Sequence, residues 1–249
     1  MVRGSRGTRF TVPTLVRLLA RLAEADVPES NPAFTEGLSD WLGWTDAIAL
    51  SAALDGRPGK PAEAPSGPPL DPVAAERELF RLRSALADPI ADDLAVAAMA
   101  RGAPADVGAG FSTLRRRYSA RQQAMETGIG ALRGRLREGL SSASPALARL
   151  AALDAVMEQV LGAQERALLS TVPVWLDRHF ERLRRAHEDA PHAEGEEPDG
   201  PDTPSRSAAW LDVFCKDMQT VMLAELDVRM QPVEGLLDAF RMRQRGRHD

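Results

Sequence analysis

The chain is poor in the residues on which many enzyme and metal sites depend. It holds one cysteine and four histidines, and no histidine lies at metal-ligand spacing from a cysteine or a carboxylate. A single cysteine excludes an intramolecular disulfide, and the apolar helical pattern around Cys215 favours a reducing cytoplasm. We therefore predict no metal and no cofactor, and we interpret Cys215 as a packing residue rather than a nucleophile.

Strand-forming residues and long apolar runs are scarce as well. The chain has one tyrosine and an aromatic content of 5%, and runs of Val, Ile, Thr and Tyr are missing. No apolar stretch approaches the roughly 18 residues that a membrane span requires. Arg17 and Arg21 interrupt the apolar run that follows the basic N-terminal residues, which argues against a signal peptide. We expect a soluble, cytoplasmic, all-α protein.

The charges are unevenly distributed along the chain. Lys60 and Lys216 are the only lysines, and a composition rich in arginine and alanine is typical of a GC-rich bacterial genome. Seven acidic residues and no lysine or arginine lie between residues 188 and 202, and without these seven the net charge of −5 becomes +2. An acidic segment without large apolar residues is typical of disorder.

The most informative pattern is an apolar seam with helical spacing over residues 111–188. Spacings of three, four and seven place apolar side chains on one side of a helix. A short break at residues 141–145 divides the seam into two arms, which predicts a long antiparallel helical hairpin of the coiled-coil type. Residues 171–173 should kink the second arm, because proline lacks the backbone donor.

The remaining sequence predicts shorter N-terminal helices and a C-terminal amphipathic helix. Prolines should interrupt two helices, at residues 88–89 and at Pro232. The predicted segments are an N-terminal helical pair (1–55), a Pro/Gly-rich linker (56–70), a helical bundle with the long hairpin (71–187), an acidic disordered linker (188–207), and a C-terminal helix with a basic tail (208–249).

Several large side chains are candidates for partner binding. Trp41 and Trp44 flank a glycine and can anchor a partner's surface, although packing between the first two helices is the alternative. Met218 and Met222 offer a pliable docking face on the last helix, with core packing again the alternative. On the hairpin, the candidate seam residues for docking or self-association are Leu132, Leu136 and Trp175.

Arginine clusters support a second hypothesis, nucleic-acid binding. They lie at residues 115–117, 133–137, 182–185 and 241–247, and a basic stripe can hold phosphates. The favoured interpretation is nevertheless solvated helix faces, because acidic residues lie nearby in the sequence. Aromatic residues for base stacking are missing apart from Tyr118, which the apolar seam also uses.

The N-terminal block resembles a known family. Residues 8–22 and the string Trp41-Leu42-Gly43-Trp44-Thr45-Asp46-Ala47 are similar to uncharacterised proteobacterial proteins of domain of unknown function 3348. The resemblance covers most of the chain and implies no activity and no functional residues. It also implies an accessory role beside cell-envelope components of the proton-channel and peptidoglycan-binding type.

These observations together predict a non-enzymatic helical interaction or scaffold protein. Gly128, Gly130, Gly134 and Gly139 each weaken the first arm by about 1 kcal/mol relative to alanine, a cost that is tolerable where another helix packs closely. We expect a protein partner or self-association, no small-molecule substrate and no membrane span. Nucleic-acid binding through the arginine clusters is the alternative function.

Overall fold

The computed structural model describes residues 12–23, 44–55, 71–99, 107–189 and 206–245. These residues form helices and contain no strand, so the all-α prediction is confirmed. The helices are α1 (Val12–Ala23), α2 (Trp44–Leu54), α3 (Pro72–Met99), α4 (Val107–Ala143), α5 (Pro145–Leu169), α6 (Val172–Glu188) and α7 (Arg206–Arg245). None of them combines the length and the apolar character that crossing a membrane requires.

The chain divides into two compact units, each assembled from three stretches of sequence. Unit 1 comprises Met1–Val27, Ala85–Gln123 and Thr171–Val228. Unit 2 comprises Pro28–Ser84, Ala124–Ser170 and Arg229–Asp249. The predicted linker at residues 56–70 and residues 190–205 of the predicted acidic linker (188–207) lie outside the described residues. At the ends of the acidic linker, residue 188 belongs to α6 and residues 206 and 207 belong to α7.

Two helix starts follow directly from local sequence. The Ser144 hydroxyl accepts a hydrogen bond from the Leu147 amide at 3.3 Å, and Pro145 occupies the first turn of α5, where its missing donor costs nothing. Within the predicted break at residues 141–145, only Ser144 lies outside the two helices. The Asp71 carboxylate caps α3 in the same way, accepting from the amides of Val73 and Ala74 at 3.1 and 3.3 Å.

Proline coincides with a helix break at one of the three points where the sequence predicts a kink or an interruption. The predicted kink at residues 171–173 is a full break, because α5 ends at Leu169 and α6 begins at Val172. The interruptions predicted at Pro89 and Pro232 are wrong, since α3 and α7 continue through both residues. A proline inside a helix costs about 3 kcal/mol, and burial of neighbouring apolar side chains offsets that cost. Close to Pro232 these are Met230, Val233, Leu236 and Leu237.

The core of unit 1 is built around an aromatic cluster. Phe180 of α6 lies edge-on to Phe214 of α7, with ring centroids 5.0 Å apart, and within 5.3 Å of the Phe111 ring of α4. Trp210 of α7 stacks edge-on to Phe180 at 5.2 Å. Such tilted pairs contribute roughly 0.5–1.5 kcal/mol each beyond the burial of their area. Helix α1 packs against α6.

The core of unit 2 contains the second half of α4. Its buried side chains are Met125, Ile129, Leu132, Leu136 and Leu140, at helical spacing. Ion pairs join α4 to α5 at Arg133–Asp154 (2.7 Å), Arg137–Glu158 (2.6 Å) and Arg166–Glu126 (3.5 Å). Helix α2 packs against α5.

Candidate functional site

A buried carboxylate occupies the centre of unit 1. Glu225 on α7 is fully buried, and its oxygens accept hydrogen bonds from Tyr118 and Gln122 of α4. The Tyr118 hydroxyl lies 2.7 Å from Glu225 Oε2, and the Gln122 amide nitrogen lies 3.0 Å from Oε1. A buried carboxylate is tolerated only when such donors replace its water. The cluster therefore fixes α4 and α7 in one register.

The space beside this cluster is too small for a substrate. The cavity next to Tyr118 measures about 10 Å³ and is lined by Ile90, Cys215, Met218 and Met222, among others. About that much space is needed for a single water molecule. Cys215 itself is 3% exposed, so the predicted packing role agrees with its position. The arrangement holds helices together and offers no room for a reacting ligand.

A second polar cluster joins α1, α6 and α7 within unit 1. His179 Nε2 lies 2.9 Å from Asp217 Oδ2, and His179 Nδ1 lies 3.3 Å from an Arg182 guanidinium nitrogen. The same guanidinium nitrogen donates to the backbone carbonyl of Leu22, in the last turn of α1. Arg21 approaches Asp217 from α1 at 3.8 Å. The cluster ties the end of α1 to α6 and α7.

The partners of His179 determine its chemistry. A guanidinium can only donate, so Nδ1 accepts from Arg182, and Nε2 then carries the proton that it donates to Asp217. Both ring nitrogens are thereby engaged inside the fold. A histidine–aspartate pair resembles the base and orienting group of a hydrolase, but here no ring nitrogen is left to take a proton from a substrate.

Five arginines from three of the four clusters pair with carboxylates of the same chain, whereas Arg115 and Arg116 of the first cluster are exposed. Burial lowers the pKa of Arg133, but the hydrogen bond and charge of Asp154, with the charge of Glu158, outweigh it and hold the pKa above its usual value. A hydrogen bond from Arg184 to Glu181 raises the pKa of Arg184 in the same direction. Further ion pairs join Arg135 to Glu78, Arg137 to Glu158, and Arg241 to Glu76 and Asp238.

A different face of the molecule leaves positive charge and apolar surface uncovered. On the part of α3 that belongs to unit 2, Phe80 is 69% exposed and Val73 is 50% exposed. Arg77 lies between Val73 and Phe80 on this side of the helix, and Arg81 follows Phe80; both arginines are exposed too. We call these four residues the outer face of α3. An exposed aromatic beside arginines has the composition of the core of a protein interface.

A comparison with protein-family models assigns the chain to a family. A model described as a protein of unknown function, DUF3348, matches residues 1–242. The chain belongs to this family. No curated protein and no solved structure matches it. The family assignment confirms the resemblance carried by the Trp-Leu-Gly-Trp block, and it brings no activity and no site residues with it.

The predicted partner-binding residues of this DUF3348 protein differ in how far they are buried. Leu132 and Leu136 are 1% and 2% exposed in the core of unit 2, so the apolar seam at these positions is closed by the same chain. Met218 and Met222 are buried in unit 1. Trp175 is half-buried, with the Arg178 guanidinium 5.0 Å from its ring centroid. Trp41 and the side chain of Trp44 lie outside the described residues.

The sequence analysis did not single out the outer face of α3, although its residues lie close together on a helical projection. The inward stripe of this stretch consists of Ala75, Leu79 and Leu82, spaced by four and three. Phe80 follows Leu79 directly and so cannot lie on that stripe. A helical projection of residues 72–84 would have placed Phe80 with Val73, seven positions away, and with the two arginines.

Proposed function

We propose that this DUF3348 protein is a non-enzymatic helical interaction protein that binds a protein partner. The observation that carries the proposal is the exposure of Phe80 together with Arg77 and Arg81, on a stretch of helix where Glu76, Glu78 and Arg83 form ion pairs. Aromatic and arginine side chains dominate the energetics of protein interfaces. An uncovered phenylalanine on an ordered helix is the type of anchor that a partner buries.

The engagement of the reactive side chains supports the same proposal. His179 has both nitrogens bonded, Cys215 is buried, and the Glu225 carboxylate is surrounded by its donors. Acid–base or nucleophilic catalysis requires such groups within reach of a substrate. In the part of the chain that the structure describes, these groups instead stabilise contacts between helices.

The observations favour this role over the two alternatives suggested by the sequence. Self-association through the hairpin seam would require Leu132 and Leu136, which one chain already buries. Nucleic-acid binding through the cluster at residues 133–137 would require free arginines, whereas Arg133 and Arg137 pair with carboxylates of the chain. An accessory role at a cell-envelope complex is one setting in which a partner-binding protein of this kind would act.

The proposal is tested by measuring the mass of the protein in its native surroundings. The protein is recovered from the cells that make it after mild chemical cross-linking, and its mass is measured by light scattering coupled to mass spectrometry. We expect discrete complexes heavier than the 27.0 kDa chain that contain a second polypeptide. Recovery at 27.0 kDa alone, with no cross-linked polypeptide at any position, would contradict the proposal.

A further inference from the structure

The outer face of α3 stands on a helix that is fixed in place within unit 2. Glu78 of α3 pairs with Arg135 of α4, and Arg83 pairs with Glu234 of α7 at 3.4 Å. Glu76 pairs with Arg241 of α7. Inward packing is close, because a Cβ atom built on Gly128 would lie 2.9 Å from Leu82 Cδ1. A rigid support of this kind lowers the entropy lost when a partner binds.

The ion pairs also determine the charge that the outer face presents. Every carboxylate of α3 between residues 72 and 84 is paired with an arginine of α4 or α7. Arg77 and Arg81 remain, and among the described residues no carboxylate lies within ion-pair distance of either guanidinium. Arg81 Nε donates only to the backbone carbonyl of Arg77, at 3.3 Å. The face therefore combines two unneutralised positive charges with the apolar Val73 and Phe80.

We propose that the outer face of α3 binds an acidic protein segment whose apolar side chains cover Phe80 and Val73. This inference rests on the proposed function and names the chemistry of the partner. Arginine forms bidentate hydrogen bonds with carboxylates, and desolvation by an apolar neighbour strengthens such pairs. A carboxylate-bearing segment with an apolar anchor complements both the charge and the apolar area of the face.

A second copy of the chain is a poorer occupant of this surface. Pairing two outer faces would bring the guanidinium groups of both Arg77 and both Arg81 residues together without a carboxylate, and like charges at an interface are unfavourable. A nucleic acid is a poorer occupant as well. Binding of single strands typically uses several stacking aromatics along a basic groove, whereas Phe80 is the one aromatic of this face and Val73 is aliphatic.

The test begins with selection of peptides from a displayed random library on the full-length protein. The selected peptides are titrated by fluorescence anisotropy. The test variants are Phe80→Ala and the double charge reversal. The matched controls, Leu168→Ala and Arg149→Glu, change an exposed apolar residue and an exposed arginine on α5 of the same unit. All variants change exposed side chains, so their melting temperatures should match that of the wild type within a few degrees.

We expect peptides rich in Asp and Glu that also carry large apolar residues. Phe80→Ala and the double reversal should each weaken binding by about tenfold or more, the controls by less than about threefold, and added salt should weaken it further. Selection of neutral or basic peptides, or binding that both test variants leave unchanged, would overturn the inference. So would tighter, Phe80-dependent binding of a 20-nucleotide poly-dT probe.

The outcomes separate this inference from the proposed function. Peptides that bind another surface would refute the outer face of α3 as the docking site, yet a cross-linked partner from native cells would leave the interaction role standing. Absence of any cross-linked partner refutes the interaction role itself, whatever the peptides show.

Discussion

The Tyr118 hydroxyl donates a hydrogen bond to the fully buried carboxylate of Glu225, 2.7 Å away in the centre of unit 1. The two residues are 107 positions apart in the sequence, on α4 and α7. A buried carboxylate that lost this donor would keep a desolvation cost without the bond that offsets it. The pair therefore specifies the register of the two helices as well as contributing to their stability.

Tyr118→Phe tests this pair without changing the shape of the core. We expect a loss of about 1–3 kcal/mol in the free energy of unfolding, because the buried Glu225 oxygen loses a donor and finds no water. The measurement is urea unfolding, with an unchanged slope against denaturant. Glu225→Gln serves as the control. Its amide carbonyl oxygen still accepts the hydrogen bond from Tyr118, so this substitution should reduce the free energy of unfolding by less than Tyr118→Phe does. A Tyr118→Phe loss under about 0.5 kcal/mol would show that the bond contributes little.

Arg133→Met should destabilise unit 2 more than an ordinary surface substitution does. The side chains of Arg133 and Asp154 are 12% and 11% exposed, so removing the guanidinium leaves a nearly buried carboxylate with only the longer pair to Arg137, at 3.5 Å. We expect a loss of about 2–3 kcal/mol, and partial recovery in the double variant Arg133→Met/Asp154→Leu, in which no charge is left buried. Equal stability of the single and double variants would argue that the pair is not desolvated.

The dependence of the Arg133 contribution on pH follows from the direction of its pKa shift. The folded state holds the pKa of Arg133 above its ordinary value, so the stability from its charge is fully present below the unfolded-state pKa and is lost only as pH rises through the higher folded-state value. Between pH 6 and pH 9, all of it below that window, the difference in unfolding free energy between wild type and Arg133→Met should be constant. If that difference changed steadily between pH 6 and pH 9, the pH dependence would have to come from a titrating group other than Arg133.

Arg182→Gln should loosen α1 without unfolding the rest of unit 1. Arg182 bonds both His179 and the Leu22 carbonyl, and a cation near the end of a helix also favours its dipole. We expect faster backbone hydrogen exchange across Val12–Ala23, by about tenfold, which corresponds to roughly 1.4 kcal/mol. Arg185→Gln, an exposed neighbour on α6, is the matched control and should leave the exchange unchanged. Equal effects of both substitutions would remove the special role of Arg182.

Glycines in α4 should respond differently to alanine. A Cβ atom at Gly130 or Gly134 meets nothing within 4 Å, so alanine there should stabilise the chain by about 0.5–1 kcal/mol through helix propensity. At Gly128 the added atom would lie 2.9 Å from Leu82 Cδ1, and repacking should cancel most of that gain. Thermal unfolding of the three single variants measures the difference. Gly128→Ala as stabilising as the other two would show that Leu82 moves aside freely.

Local chemistry made the helix ends partly predictable from sequence. Ser144 and Pro145 mark the start of α5 because an N-cap side chain and a first-turn proline act within one helical turn. Pro89 and Pro232 predicted breaks that do not occur. The cost of proline is local, but the burial that outweighs it comes from helices distant in the sequence, and periodicity alone does not report that burial.

The candidate surface was less predictable than the fold. Periodicity identified the seam that contains Leu136 but not the helices that cover it. Whether Arg77 has a carboxylate partner depends on which acidic residues pair with distant arginines, as Glu78 does with Arg135, 57 positions away. No spacing rule encodes such pairings, so a helical projection groups the four residues of the outer face but does not show which arginines lack a carboxylate partner.

The central claim, that the outer face of α3 binds a protein, is tested most directly by site-specific photo-cross-linking. The photoreactive amino acid p-benzoylphenylalanine replaces Phe80 in the full-length protein, which is expressed and irradiated in the cells that make it. The same replacement at Leu168, also exposed in unit 2, provides the control. We predict an irradiation-dependent adduct with one other polypeptide from position 80, lost when Arg77 and Arg81 are reversed to Glu, and none from position 168. No adduct at position 80, or equal adducts at both positions, would contradict the account.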